Sequence, residues 1–290
     1  MLNGDVSDQF FGGGENKSNR YPNPFFNVPS QFLPTNMDGM LWWAEHFMFK
    51  TDFYASALKR IANYFLTEIS IDCEDEESEK EYKEAFDKLN WKGVLGESGF
   101  NVLGYSNLFL SVNQGFNRFL SCPKCSKFTI IDRLDNFTFD KGKYIYQCPN
   151  CSYKGVHRLI DKPIKDIDKI NVVIWNPREI KLKYDEVSGV SEHYWHIPES
   201  YKKKVCQKGD TFYPKVVPKV IYDSIQDNKM VVFNKKNFIH VKLPSPASLK
   251  TDGKAVPLCM YIFDSLFMLK VLERFNEVIC FEDIAPFRVI

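Results

Sequence analysis

Cys122-Pro123-Lys124-Cys125 and Cys148-Pro149-Asn150-Cys151 are two Cys-x-x-Cys motifs separated by 22 residues. A tight turn with two intervening residues brings both of its sulfurs within reach of one ion. Two such turns supply four thiolates, the closed tetrahedral shell that zinc takes in structural sites. The linking segment from Phe128 to Tyr146 holds alternating β-formers around Asp140-Lys141-Gly142-Lys143, as a hairpin does. The spacing therefore predicts a zinc ribbon in which Cys122, Cys125, Cys148 and Cys151 hold a structural Zn2+. Two disulfides are the competing reading. They fit less well, because each motif carries Pro after its first Cys and no thioredoxin-like βαβ pattern surrounds either. His157 follows the ribbon closely, but four cysteines leave it no coordination position. In so small a module, metal binding and folding are one event.

Outside the ribbon, the N-terminal side reads as mixed and the C-terminal side as mostly β. Residues 1–19, with Gly12-Gly13-Gly14, bury little and read as a flexible tail. The prolines at 22, 24, 29 and 34 then force an extended, aromatic-decorated arm. A helix is expected from Asn36 or Asp38, carrying Trp42, Trp43, Phe47 and Phe49. A second is expected from Asp52 to Glu68, with Leu58, Ile61, Ala62, Phe65 and Ile69 on its buried face. From Asp72 to Asp87 nine acids face two lysines, which reads as a solvated helix and not a site. Phe100 to Leu120, punctuated by Gly104 and Gly115, reads as two short strands joined by a turn.

After the ribbon come a continuous apolar strand at Ile170–Trp175 and an alternating one at Ile180–Tyr184. A hairpin turn at Asp185–Gly189 leads to a returning strand at Glu192–Ile197. Helices are expected at Pro198–Cys206 and Pro218–Gln226, and a strand pair from Met230–Phe233 and Phe238–Leu243. The last element is a long helix over Pro257–Phe281 with Met268, Val271, Leu272, Phe275, Val278 and Ile279 on one side, stopped by Pro286. The fold class expected is α+β.

Composition narrows function. The 290 residues carry a net charge of +1, so the chain is not of the strongly basic kind that coats phosphate. Phe, Tyr and Trp make up 15%, a large payload for cores or subunit interfaces. The stretch Val256–Phe281 is broken by Asp264, Lys270, Glu273, Arg274 and Glu277, and the start lacks a signal-peptide pattern, so no membrane partner is expected. The chain reads as intracellular, with its cysteines reduced. Cys73, Cys206, Cys259 and Cys280 are scattered and read as inert.

No phosphate-binding loop, dinucleotide fingerprint, nucleophile elbow or His-Glu-x-x-His motif is present, and no catalytic or cofactor-binding residue is assigned. His193 and His196 lie three apart in an expected strand, so they face opposite sides and cannot share an ion. Residues 201–250 hold eleven lysines against three acids, with Phe212, Tyr213, Phe233 and Phe238 interleaved. That pattern fits either loose contact with nucleic acid or a lysine-protected edge.

Five patches, taken in order, resemble portal proteins of tailed bacteriophages, of the large contractile-tailed type with an inserted zinc ribbon. They are Arg20-Tyr21-Pro22-Asn23-Pro24-Phe25-Phe26; Phe116-Asn117-Arg118-Phe119-Leu120-Ser121 running into Cys122; Ile170 to Pro177 with Tyr194-Trp195-His196-Ile197-Pro198; Phe238 to Pro246; and Arg274-Phe275-Asn276-Glu277 through Ile284 to Val289. Departures occur too: Asp252-Gly253-Lys254-Ala255-Val256-Pro257 stands where the family has a Gly-Trp-Gly-x-Pro turn, and Tyr105-Ser106-Asn107 where a Gly-Asn pair is expected.

The resemblance implies a non-enzymatic ring subunit, commonly a dodecamer, at the capsid vertex of the virion, assembled in the host cytoplasm. Its implied partners are further copies of itself, terminase, the major capsid protein, neck and head-completion proteins, and double-stranded DNA passing through. It divides the chain into the 1–19 tail, a wing-like α/β region at 20–120, the zinc ribbon at 121–156, a β-rich stem or clip-like region at 157–250, and a long helix with a truncated continuation at 251–290. The family chain continues past Pro286-Phe287-Arg288, so Ile290 reads as an interruption. A zinc-ribbon nucleic-acid-binding adaptor is the alternative. An open coordination position on the ion would instead favour a metalloenzyme.

Overall fold

Asn36 opens the first helix, α1 (Met37–Lys50), by accepting a hydrogen bond from the Gly39 N–H through its side chain at 2.7 Å. Our computed structural model describes residues 34, 36–64, 66, 69–134, 137–140, 142–164, 169–185, 187–245 and 251–284. The tail and proline-rich arm expected before residue 34, the Phe65 and Glu68 end of the second helix, and Pro286 lie outside them. The chain divides into two units, one of residues 34–266 and one of residues 1–33 with 267–290.

In the larger unit, α1 is followed by α2 (Asp52–Tyr64), α3 (Glu76–Lys88) and α4 (Trp91–Tyr105). Leu41, Ala44 and Phe47 of α1 are fully buried, and Tyr54, Leu58 and Ala62 form the buried stripe of α2. Ile61, expected on that stripe, is exposed, and so is Ile69 beyond the helix. The buried spacing is strictly i, i+4, i+8, which leaves Ile61 to one side. No residue of α3 is buried, in keeping with a solvated acidic helix.

Helix α4 corrects the expectation of strand from Phe100. Its glycines are contact points and not turns: Gly99 faces Ala62, and a Cβ on Gly104 would lie 2.3 Å from the sulfur of Met48. Small residues let α4 lie close to α1 and α2, so burial offsets their weak helix propensity.

Strands β1 (Asn107–Asn113) and β2 (Phe116–Ser121) follow, but they enter different sheets and are not a hairpin. β1 is the centre of a three-stranded antiparallel sheet between β7 (Asn171–Trp175) and β11 (Phe238–Lys242), with Leu110 opposite both Ile174 and Ile239. A second sheet runs β10 (Val231–Val232), β9 (Ser191–Trp195), β8 (Ile180–Tyr184), the last two joined as the expected hairpin. β10 therefore pairs with β9 and β11 with β1, and the expected β10–β11 pair does not form. Both corrections have one cause. Proximity in sequence favours pairing of adjacent strands, but β1 is buried over its first five residues and is taken by longer-range partners.

The third sheet has the order β3-β2-β6-β5-β4, with β3 (Phe128–Ile130), β4 (Thr138–Asp140), β5 (Lys143–Gln147) and β6 (Lys154–Pro163). Leu120, Phe139, Tyr144 and Leu159 on its inner face pack with Val205, Val217 and Tyr222, brought by α5 (Glu199–Val205), α6 (Tyr213–Val216) and α7 (Lys219–Gln226). Phe109, Ile180, Trp195, Ile197 and Phe238 form a second cluster. Tyr201, Ile221 and Ile225 touch both clusters, so α5 and α7 bridge the ribbon sheet to the rest.

A short 3-10 turn at Leu258–Ile262 leads into α8 (Phe263–Ile284), the long helix expected near the C-terminus. Val271, Leu272, Phe275, Val278 and Ile279, expected on one side of it, are exposed. No helix among the described residues is long and apolar enough to cross a membrane. The architecture is mixed α+β.

Arg118, only 1% exposed, sits at the base of the ribbon sheet. Its guanidinium is bidentate to Asp161 at 2.8 and 2.7 Å and donates to the Tyr144 hydroxyl and to the Pro214 and Val217 carbonyls. Arg118→Met should cost on the order of 3 kcal/mol, because it strands a mostly buried carboxylate and two carbonyls. Urea unfolding followed by tryptophan fluorescence measures this loss, and a change below about 1 kcal/mol would refute the bracing role.

Candidate metal centre

Each Cys-x-x-Cys motif forms the tip of a β-hairpin. β2 and β3 flank the first, with Ser121 opposite Phe128, and β5 and β6 flank the second, with Gln147 opposite Lys154. Pairing of β2 with β6 sets the two hairpins side by side in one sheet.

The tips share one backbone design. The Cys122 N–H donates to the Lys127 carbonyl, and the Ser126 N–H donates back to the Cys122 carbonyl, at 3.1 and 2.9 Å. Cys148, Tyr153 and Ser152 repeat the pattern, with both bonds at 2.9 Å. Ser126 and Ser152 adopt left-handed φ angles of 56° and 53°, which turn the chain sharply enough to present both sulfurs inward. The shared unit is therefore Cys-Pro-x-Cys-Ser, one residue longer than the cysteine spacing alone reveals. The serines were visible in the sequence as a repeat, though their backbone role was not.

The four sulfurs lie within 4.8 Å of one another and form a group that can hold a metal ion such as zinc. Cys122–Cys151 and Cys125–Cys148 are each 3.6 Å apart. A tetrahedron with Zn–S bonds of about 2.3 Å has edges of about 3.8 Å, so the donor set fits that ion. All eight cysteines of the chain are free thiols. Cys122 and Cys148 are buried while Cys125 and Cys151 are half-buried, so each motif turns its first sulfur inward.

The electrostatics also call for a cation. The Lys127 backbone N–H, followed by Asn150 and the neighbouring thiols, brings Cys125 down to about 6 against the opposing effect of desolvation. At Cys151 the Tyr153 N–H favours ionisation, but desolvation and the three other sulfurs outweigh it and raise the thiol to about 12. Four thiolates cannot coexist at this distance without a positive ion between them.

His157 is not among the donors. Its Nδ1 lies 2.9 Å from the Gly155 carbonyl, and its ring stands against Tyr146 and Tyr153 on the inner face of β6. Cys73, Cys206, Cys259 and Cys280 are not part of the group, and burial raises the Cys206 and Cys259 thiols, the latter to about 12. His193 lies within β9 and is half-buried, whereas His196 is past its end and exposed. Lys202, Lys219 and Lys229 of the lysine-rich stretch pair with Glu199, Asp223 and Asp227. Sequence reasoning passed over Arg118, because a lone arginine in a strand gives no signal until its partners arrive from residues 144, 161, 214 and 217.

No protein-family model, curated protein or solved structure matches this chain.

Elemental analysis of the purified chain should find one zinc per chain. Cys148→Ser should lower that content and expose the β2–β6 amides to hydrogen exchange. An unchanged metal content in this variant would exclude the four-sulfur site.

Proposed function

We propose that this chain is a subunit of a phage portal ring, with a zinc ribbon as a structural insert. The observation that carries the reading is the order of the five patches along the chain, which resemble portal proteins at the spacings that family shows. In support, two patches far apart in sequence, at 170–177 and 238–246, contribute β7 and β11, which flank β1 in one sheet. A third patch, Phe116–Ser121, is β2 itself and delivers Cys122 to the metal centre.

Apolar exposure supports assembly. Phe49, Phe53, Tyr64, Val187 and Val220 are largely exposed, and Leu272 and Phe275 of α8 are more than half exposed. Side chains of this kind suit broad subunit contacts. A ring of head-to-tail contacts buries such surfaces without leaving a free end. The near-zero net charge suits a conduit, since each neutralised phosphate adds salt-dependent affinity. In this reading the chain catalyses nothing, acts at the capsid vertex, and docks terminase and neck proteins around DNA in transit.

Negative-stain microscopy of the purified full chain should show rings with a central hole. A strict monomer under conditions in which the complete gene product assembles would overturn the reading.

One observation favours the adaptor alternative. On the outer face of the ribbon sheet, the Lys162 ammonium lies 5.1 and 5.6 Å from the ring centroids of Phe119 and Phe128, and Arg158 is exposed four residues before it. Aromatic rings with cations on an open sheet suit stacked bases and phosphates. Salt-dependent DNA binding by a monomer, abolished in Arg158→Glu/Lys162→Glu, would select the adaptor over the ring.

A further inference from the structure

The ribbon sheet has one covered face and one open face. Leu120, Phe139, Tyr144 and Leu159 turn inward to the core that includes Tyr222. By strand alternation the residues between them turn outward. Along β6 these are Lys154, Val156, Arg158, Ile160 and Lys162, and all but Ile160 are exposed. Phe119 and Phe128 lie beside Lys162, and Phe128 is 53% exposed. The open face is thus a row of cations alternating with apolar side chains.

Those cations are unused within the chain. Lys154, Arg158 and Lys162 make no ion pair with any described residue. Asp140 of β4, opposite Lys143, is the one carboxylate on this face among the described strand residues. The whole chain nevertheless carries a net charge of only +1, so negative surface lies elsewhere.

Helix α3 carries such a surface. Glu77, Glu81 and Glu84 follow at i, i+4 and i+7, which sets them in one stripe. All three are exposed and likewise make no ion pair with any described residue. Lys83 is taken by Glu79 on the other side of the helix. Tyr82, 61% exposed, flanks the stripe. Because α3 has 13 residues and buries none of them, it gains little from packing within its own chain. The spacings also correspond. Arg158 and Lys162 stand about 13 Å apart along the strand, and Glu77 and Glu84 about 10 Å apart along the helix, a difference that long side chains absorb.

We infer that the outer face of the ribbon sheet receives α3 of a second copy of this chain. Arg158 and Lys162 meet the Glu77–Glu81–Glu84 stripe, and Tyr82 covers apolar side chains beside them. The two surfaces are different parts of one chain, so the contact is head-to-tail and repeats from copy to copy. This docking rests on the ring reading and names a contact for it. The nucleic-acid alternative takes the same face, but Val156 and Ile160 in the cationic row offer bases no ring to stack on.

Sedimentation velocity of the full, metal-loaded chain tests the docking with two charge-reversed variants, Arg158→Glu/Lys162→Glu and Glu77→Lys/Glu84→Lys. The unaltered chain is expected to assemble, and each variant alone should need about tenfold or more higher concentration for half-assembly. Mixed one to one, the variants should assemble again, because the acidic sheet of one now meets the basic helix of the other. All four positions are exposed, so both variants are expected to fold. Normal assembly of either variant alone would overturn the docking and leave the ring reading standing. Loss in both without rescue on mixing would overturn it as well. Rescue with open chains in place of closed rings would uphold the docking and overturn the ring. An unaltered chain that stays monomeric overturns both, and single-stranded DNA binding by that monomer, lost in Arg158→Glu/Lys162→Glu, would give the face to nucleic acid.

Discussion

A guanidinium removed from water must find an acceptor for each of its five N–H groups, and Arg118 does so with partners from three separate stretches of chain. Asp161 takes two, and the Tyr144 hydroxyl and the carbonyls of Pro214 and Val217 take the others. Asp161 also accepts the Lys219 N–H at 2.8 Å, which ties in the first residue of α7, and Tyr144 donates to Pro214 in turn. The rings of Phe116, Tyr144 and Tyr222 lie within 4.8 to 6.0 Å of the charge. No one of these groups can move without leaving a buried polar atom unpaired. The register of β2 against β6, which sets Arg118 opposite Asp161, is therefore fixed, and with it the seating of the 213–219 segment.

That register matters for the sulfur cluster. The two hairpin tips converge because β2 and β6 are neighbours, and a slip of one residue would turn Arg118 to the solvent face and separate the tips. The arginine node and the metal centre thus secure the same sheet in different ways. The node relies on complete hydrogen bonding in a buried site. The tips, which bury little apart from Cys122 and Cys148, bring together four sulfurs that can hold a metal ion. Tyr201, Ile221 and Ile225 then carry the sheet's position to the second core, where Phe109 and Trp195 are buried and the His193–His240 pair lies alongside.

Local chemistry was legible wherever a few neighbouring residues suffice. The four cysteines, the β8–β9 hairpin, the Asn36 cap and the helices at α5 and α7 all follow from spacing, turn residues or periodicity within a short window. The misreadings share the opposite character. Gly104 reads as a turn until Met48 is seen against it, and β1 and β2 read as a hairpin until their partners come from residues 171–175, 238–242, 128–130 and 154–163. Likewise, His193 and His240 are unremarkable in sequence, 47 positions apart by their numbers, and only sheet packing makes them neighbours.

By itself, then, the sequence singled out the four cysteines that the fold groups, because two residues between cysteines and 22 between pairs fit a site able to hold a metal ion. It also determined the α+β class, through the alternation of 3.6- and 2-residue apolar periods along the chain. Only the tertiary structure decided which strands pair, where the buried charge goes and which buried polar atoms are left without a partner. Those outcomes depend on burial and on satisfying hydrogen bonds between residues far apart in the chain, and neither quantity exists until the chain has closed on itself.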